Sequence, residues 1–127
     1  MTNLATYGFI AIGGAVGACL RFFISEMTVL WLGKGFPFGT LLVNLIGSFL
    51  LGALYAVIEQ GIIGIAPWKT LVGIGLLGAF TTFSTFSVDS ILLLQNGMYW
   101  KGVLNIFINV VCCLLMAWLG MQIIKGN

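Results

Sequence analysis

Five hydroxyl side chains and three phenylalanines lie within ten residues, in the stretch GAFTTFSTFS at positions 78–87. Hydroxyls donate hydrogen bonds, and the edge of an aromatic ring carries partial positive charge. Such groups suit a pathway for a small anion, which must be held strongly enough to enter and weakly enough to leave. Phenylalanines three residues apart usually face lipid or the protein core, but that role does not require the neighbouring hydroxyls.

The same stretch contains residues that weaken a helix. Gly73, Gly75 and Gly78 disfavour helical backbone, and the serine and threonine hydroxyls compete for its hydrogen bonds. The letters GxGxxG match a dinucleotide fingerprint, but the strand and acidic residue of that site are missing, so we interpret them as packing or flexibility. We predict a helix break near residues 78–82. Its freed carbonyl oxygens, brought together from two chains on a dimer axis, would suit a small cation.

Polar side chains also occur inside other apolar segments, where each needs a partner or a water-filled cavity. Asn44 would either bond a neighbouring helix or line a pore, and the sequence favours neither over the other. Asn105 and Asn109 share one helical face with Cys112 or Cys113, where packing is again a fair explanation. The chain has three cysteines and no histidine, so a thiolate metal site is not expected.

The first apolar segment ends on a cation. Gly13 and Gly17 form a GxxxG pattern, which lets helix backbones approach closely in a membrane. Arg21 follows on the same segment, and its long stem can reach towards the interface. We interpret Arg21 as a structural anchor rather than an ion contact, with Glu26 near enough to be its partner.

The composition indicates the elements that must position these groups. The chain is 61% hydrophobic and 6% charged, whereas charged residues make up about a quarter of an ordinary soluble domain. Four runs contain no charged residue, and a helix crosses the bilayer with about 20 apolar residues; the runs are 1–20, 35–58, 70–88 and 102–124. We predict an all-α membrane protein, one integral-membrane domain over residues 1–127, with its third helix broken mid-membrane. The predicted spans are about 4–30, 40–58, 68–95 and 99–124.

The cations are divided almost equally between the two ends of this arrangement. Lys69 and Lys125 belong to the side of the amino terminus, and Lys34 and Lys101 to the other. Because orientation follows an excess of Lys and Arg on the cytoplasmic side, a near tie favours insertion in both directions. We therefore predict an antiparallel dual-topology homodimer. Without histidine or a nucleophile–base pair, an enzyme is not expected, and nothing indicates a nucleic-acid partner.

Three segments resemble the signature segments of the Fluc (CrcB) family of fluoride channels. They are GGAVGACLR at 13–21, GTLLVN at 39–44 and TTFSTFSVD at 81–89, and the similarity extends to chain length, span number and motif order. The resemblance implies a channel that exports fluoride passively across the cell (inner) membrane and gives fluoride resistance. It also implies an antiparallel dimer with two anion pores and a central structural sodium ion.

The resemblance assigns roles to individual positions. Pore-lining rings correspond to Phe83 and Phe86, a hydroxyl track to Ser84 and Thr85, and a polar residue of the aqueous vestibule to Asn44. Sodium would be bound by the backbone carbonyls of two further residues, Gly78 and Thr81.

Two positions depart from the family pattern. Asp89 stands where the family often has Glu, and Cys113 stands where a small hydroxyl is expected; a thiol is a weak donor.

The alternative function is a proton-coupled small multidrug exporter, which relies on a carboxylate embedded in the first span. Residues 1–20 contain none, and Glu26 lies close to the loop. A non-transporting assembly subunit would not need a polar third span.

Overall fold

A computed structural model of the protein describes residues 3–126, and all the regular structure within them is helical. Four helical segments are long and apolar enough to cross a membrane, as predicted. They are α1 (Leu4–Leu32), α2 (Phe38–Glu59), a third segment over Lys69–Gln95 and a fourth over Tyr99–Lys125. The bounds of each segment lie within two residues of those of the corresponding predicted span.

The third segment consists of several pieces. A π-helix runs over Lys69–Leu77, the short α3 over Gly78–Phe80, and α4 over Phe83–Gln95. Between α3 and α4 the chain is extended, with φ −89° and ψ 162° at Thr81 and φ −154° and ψ 123° at Thr82. The interruption is therefore shorter than the expected 78–82. Gly78 itself is helical, with φ −62° and ψ −37°.

The π-helix packs chiefly against α1. A Cβ atom on Gly13 would collide with the carbonyl oxygen of Leu71, and one on Gly17 with the carbonyl oxygen of Leu76. The GxxxG pattern therefore serves contact between the first and third segments of one chain. This close approach brings the next residues of α1 alongside the break.

The fourth segment, α5 (Tyr99–Lys125), makes its most extensive contact with α2 and also packs on α4. Small residues again allow the approach, because a Cβ on Gly52 would meet the Ala117 carbonyl and one on Gly120 the Phe49 carbonyl. Val43 on α2 and Asn105 on α5 are completely buried between these helices. The helix break thus lies beside a packed α2–α5 pair.

Polar contacts join the helix ends at opposite ends of the bundle. Lys101 Nζ donates to the carbonyl oxygen of Gly35 at 3.0 Å. At the other ends of α2 and α5, Lys125 Nζ lies 3.1 Å from Glu59 Oε1. The outer surface is largely apolar, as a lipid-facing or chain-facing surface must be.

Candidate functional site around the helix break

Asn44 on α2 clamps the extended backbone of Thr82. The Thr82 N–H donates to Asn44 Oδ1 at 2.9 Å, and Asn44 Nδ2 donates to the Thr82 carbonyl at 3.0 Å. In a continuous helix the same N–H would bond the carbonyl of Gly78. The side-chain amide thus replaces a helical acceptor, and of the two roles left open for Asn44 the interhelical hydrogen bond is observed.

Arg21 supplies a second substitute partner. Its Nε donates to the Ala79 carbonyl at 3.0 Å, an oxygen that the Phe83 N–H would bond in a continuous helix. The expectation of Glu26 as the partner of Arg21 is wrong. Glu26 is exposed, and a separation of five residues points the two side chains to different faces of α1. A charged donor makes a strong hydrogen bond, so Arg21 fastens α1 to the break.

Two carbonyl groups at the break have lost their helical donors. The Thr82 N–H that would bond Gly78 is held by Asn44, and the Thr85 N–H that would bond Thr81 is capped by Thr82 Oγ1 at 3.1 Å. Among the hydrogen bonds within residues 3–126, none ends on the carbonyl oxygen of Gly78 or Thr81. Backbone oxygens of this kind are ligands that a hard cation accepts.

The phenylalanine rings that follow the break lie against each other. The centroids of Phe83 and Phe86 are 5.2 Å apart, with ring planes at 59°. This tilted arrangement is one that aromatic pairs prefer over stacking face to face. Phe86 is buried at 6% exposure, whereas Phe83 is 75% exposed. The pair therefore extends from the packed interior to the surface of a single chain.

Both rings line a recess of about 370 Å³ beside the break. Its other walls come from α2, from α5 and from the break itself, and they carry these polar side chains: Asn44, Ser48, Thr81, Thr82, Asn109 and Cys113. The recess therefore combines aromatic rings, amide and hydroxyl groups and a thiol.

The two remaining residues of the predicted pore lie elsewhere. Ser84 is exposed, with its Oγ 3.4 Å from the Thr82 hydroxyl. Thr85 lines a second recess of about 400 Å³ at the end of the bundle that carries Lys34. Asp89 also lines it, and its Oδ2 accepts a hydrogen bond of 2.9 Å from the Thr40 hydroxyl. Within one chain, Asn44, Phe83 and Phe86 thus line one recess, Thr85 lines the other, and Ser84 lines neither.

Asn105 and Asn109 were expected to share a face, with packing as a fair explanation, and in the structure they belong to a connected cluster of hydrogen-bonded side chains. Asn44 Nδ2 also donates to Asn109 Oδ1 at 3.1 Å, so the clamp on Thr82 is tied to α5. Ser90, buried at 3% exposure, joins the cluster by accepting from Asn105 Nδ2 at 2.9 Å. The spacing of four residues between the two asparagines signalled a common face, whereas nothing in the sequence signalled the part played by Thr82 or Ser90.

The three cysteines are free thiols, Cys19 exposed and the other two half-buried. No group of three or more His, Cys, Asp or Glu side chains that might hold a metal occurs within the described part of the chain.

Comparison with known proteins gives consistent matches across the sequence. A family model described as CrcB-like protein, Camphor Resistance (CrcB), matches residues 8–121. A relative from Pseudoalteromonas translucida (strain TAC 125) is 60% identical over 115 residues, covering 91% of this chain and 96% of the relative. A relative from Vibrio vulnificus (strain YJ016) is 50% identical, and the match covers 99% of this chain and 100% of the relative. A relative from Alteromonas mediterranea is 53% identical, and the match covers 98% of each chain. All three are named fluoride-specific ion channel FluC. The resemblance read from the three signature segments is confirmed, and the chain belongs to the CrcB family.

Proposed function

We propose that this chain is a fluoride channel, through which fluoride leaves a cell passively so that the cell resists fluoride. The observation that carries the proposal is the name fluoride-specific ion channel FluC on relatives 50–60% identical over nearly the whole chain. The recess beside the helix break adds a physical reason, because its rings and donors match a small, strongly hydrated anion. A channel of this kind performs no covalent chemistry and is not an enzyme.

The anion path runs past Phe83 and Phe86. Ring edges offer weak positive potential, which attracts fluoride without trapping it as a lysine or arginine would. Support comes from the tilted ring pair and from the amide and hydroxyl groups that share its recess. Asn44 lines the path as well as holding the backbone, since its amide reaches the same recess.

Ser84 and Thr85 provide hydroxyl donors further along this path. Ser84 is exposed on a single chain, and Thr85 borders the recess near Lys34 and Asp89. The rings of Phe83 and Phe86 lie at the start of α4 together with these two hydroxyls. Fluoride would therefore pass the rings while it moves from one hydroxyl group to the next. Replacement of water by such donors offsets the loss of the ion's hydration shell.

A structural sodium ion is held by the backbone carbonyls of Gly78 and Thr81, contributed by two copies of the chain. The absence of helical donors for these two oxygens is what supports the assignment. Sodium is a hard cation and prefers oxygen ligands. When bound, the ion would supply positive charge next to the carbonyl oxygens of Gly78 and Thr81. Asn44 and Arg21 hold the flanking backbone at Thr82 and Ala79 in place.

The functional unit is an antiparallel homodimer of chains inserted in both orientations. Lys101 lies at one end of the bundle and Lys125 at the other. Lys34 adds a second cation to the first end and Lys69 a second to the other, so the two ends carry nearly equal positive charge. The exposed ring of Phe83 at the rim of the recess gives the second chain a surface to complete. The dimer would lie in the cell (inner) membrane, with the break at mid-depth of the bilayer.

A proton-coupled multidrug exporter is the competing function, and the site gives it little support. Such an exporter needs a carboxylate within the first span. The acidic residue of α1 is Glu26, which is exposed near the end of the helix. The carboxylate nearer the recesses, Asp89, is already bonded to the Thr40 hydroxyl.

Reconstitution separates the two functions. Purified protein in liposomes loaded with potassium fluoride should release fluoride rapidly to an external electrode, and only when a potassium ionophore balances the charge. Release without ionophore, driven instead by an opposing proton gradient, would overturn the channel and favour the exporter.

Two ring substitutions test the anion path in the same assay. Phe83→Ile and Phe86→Ile should each keep the fold and dimer but reduce fluoride release at least about tenfold, the effect of a loss near 1.4 kcal/mol. Matched controls are Phe107→Ile, at an exposed position, and Phe80→Ile, at a buried one, because neither ring lines a recess. Parent-like release from both path variants would show that the rings only pack.

A further inference from the structure

The polar cluster beside the break is a chain of hydrogen bonds with a single direction. Asn44 Nδ2 donates to Asn109 Oδ1 at 3.1 Å, and Asn109 Nδ2 donates to Asn105 Oδ1 at 3.0 Å. Asn105 Nδ2 donates to Ser90 Oγ at 2.9 Å, and the Ser90 hydroxyl donates to the Phe86 carbonyl at 2.8 Å. The ladder, as we name Asn44, Asn109, Asn105 and Ser90, leaves the third segment at the break and returns to it one turn further along.

The donors in the ladder leave little freedom of orientation. Both N–H groups of Asn44 are used, one on Thr82 and one on Asn109. Both N–H groups of Asn109 are used on Asn105, on its side-chain oxygen and on its backbone oxygen. Turning over the Asn44 amide would set its N–H groups against the Thr82 N–H and its oxygen against two other oxygens. Thr82 and Asn109 together therefore fix which way the Asn44 amide faces.

Burial makes these contacts strong. Asn105 is 0% exposed, and Asn109 is 4% exposed. Buried amides are costly unless every group is bonded, and no buried side-chain nitrogen or oxygen within residues 3–126 lacks a partner. Hydrogen bonds aligned in one direction also polarise and strengthen each other. In a chain of hydrogen bonds of this kind, the orientation of one side-chain amide restricts the orientation of the next. An apolar contact would fill the same space without this restriction.

We propose that Asn109 and Asn105 are positioning residues, which orient the Asn44 amide so that the fourth span sets the geometry of the break. Neither residue needs to touch the permeating ion. The importance of that geometry for conduction rests on the proposed fluoride channel, but the positioning itself does not. If the positioning is correct, a substitution in the ladder should weaken the hydrogen bonds of Asn44 to Thr82 less, the farther the substituted residue lies from Asn44.

The test measures hydrogen exchange at the Thr82 amide by NMR, with the full-length protein in lipid nanodiscs. Asn109→Leu leaves one Asn44 N–H unpaired, so exchange at Thr82 should accelerate about tenfold, as expected for the loss of one buried hydrogen bond. Asn105→Leu should have a smaller effect, because Asn109 keeps its bond to the Asn105 backbone. Ser90→Ala should have the smallest. The matched control is Thr28→Val, which removes a buried hydroxyl bonded to the Ser25 carbonyl, outside the ladder.

The order of effects distinguishes positioning from simple packing. If the asparagines only filled space, the most buried, Asn105, would be the most sensitive position, and Thr82 exchange would follow global stability. That order, or a change at Thr82 no larger than in Thr28→Val, overturns the proposal. Should Asn109→Leu fail to fold, Asn109→Ser shortens the side chain while keeping a hydroxyl, and should give an intermediate effect. Fluoride release is measured in parallel: a parent protein without release rejects the proposed function, while the exchange order still decides the positioning.

Discussion

Gly47 on α2 lies against the side chain of Thr81, with no room for a larger residue. A Cβ atom built on Gly47 would collide with the Thr81 Cγ2 methyl, while its next neighbours, Phe80 Cδ2 and Thr81 Cβ, lie at 3.4 Å and 3.6 Å. The collision thus concerns one methyl group. Gly47→Ala should push Thr81 away from α2 and disturb the extended backbone on which the proposed ion sites depend.

The magnitude follows from two opposing terms. Inserting a methyl into a packed site costs roughly 1–3 kcal/mol, and replacing glycine by alanine within a helix returns roughly 0.5–1 kcal/mol. The two terms give a net loss of roughly 0–2.5 kcal/mol in the free energy of unfolding. The upper half of that range is expected for Gly47→Ala, because the new Cβ would collide with the Thr81 methyl. Gly8→Ala is the matched control, since nothing lies within 4 Å of its added Cβ. It should be neutral or slightly stabilising.

A second substitution should reverse the damage. Thr81→Ser deletes Cγ2 and keeps the hydroxyl that donates to the Leu77 carbonyl at 3.0 Å. The double variant Gly47→Ala/Thr81→Ser should regain most of the stability and fluoride release lost by Gly47→Ala, with a coupling energy of roughly 1–2 kcal/mol between the two sites. The assays are denaturant unfolding in detergent and electrode-detected release from liposomes. Additive effects of the two substitutions would refute the steric explanation.

Three further outcomes are expected. Arg21→Leu leaves the Ala79 carbonyl without its donor and should lower the free energy of unfolding by about 1–3 kcal/mol, with Arg21→Lys less harmful; equal stability of Arg21→Leu and the parent would contradict the anchoring role. Glu59→Gln should change the free energy of unfolding by less than about 1 kcal/mol, because the pair with Lys125 is exposed; a larger loss would show that the ion pair holds the helix ends together. Cys113→Ser places a stronger donor in the recess that Cys113 lines, so fluoride release per dimer should equal or exceed that of the parent; a loss of release would show that the thiol has a specific role.

The sequence predicted the helices well because each needs a long apolar run to cross a bilayer. Four runs without charge are a direct physical requirement of crossing a bilayer, and each corresponds to one helical segment. The sequence predicted the location of the break only approximately. Glycine was expected to interrupt the helix, yet Gly78 is helical and Thr81 and Thr82 are extended. A weak helix propensity yields here to the two hydrogen bonds between the Thr82 backbone and the Asn44 side chain.

The candidate site depended on contacts between distant residues, which a single sequence does not reveal. Asn44 and Thr82 are 38 residues apart, and Arg21 and Ala79 are 58 apart. Each side chain looked polar and buried, but its partner is a backbone group with no signature of its own. The nearby Glu26 was chosen for Arg21 by proximity in sequence, whereas helical geometry separates the two.

The interruption at Thr81 and Thr82 also divides the helix macrodipole of the third segment into two. The piece that ends at Phe80 presents its negative end to the break, beside the Arg21 guanidinium, and α4 presents its positive end from Phe83 onwards. A cation is thereby favoured on one side of the two extended residues and an anion on the other. Peptide dipoles do not titrate, so this sorting of ions by sign persists at every pH at which the fold persists.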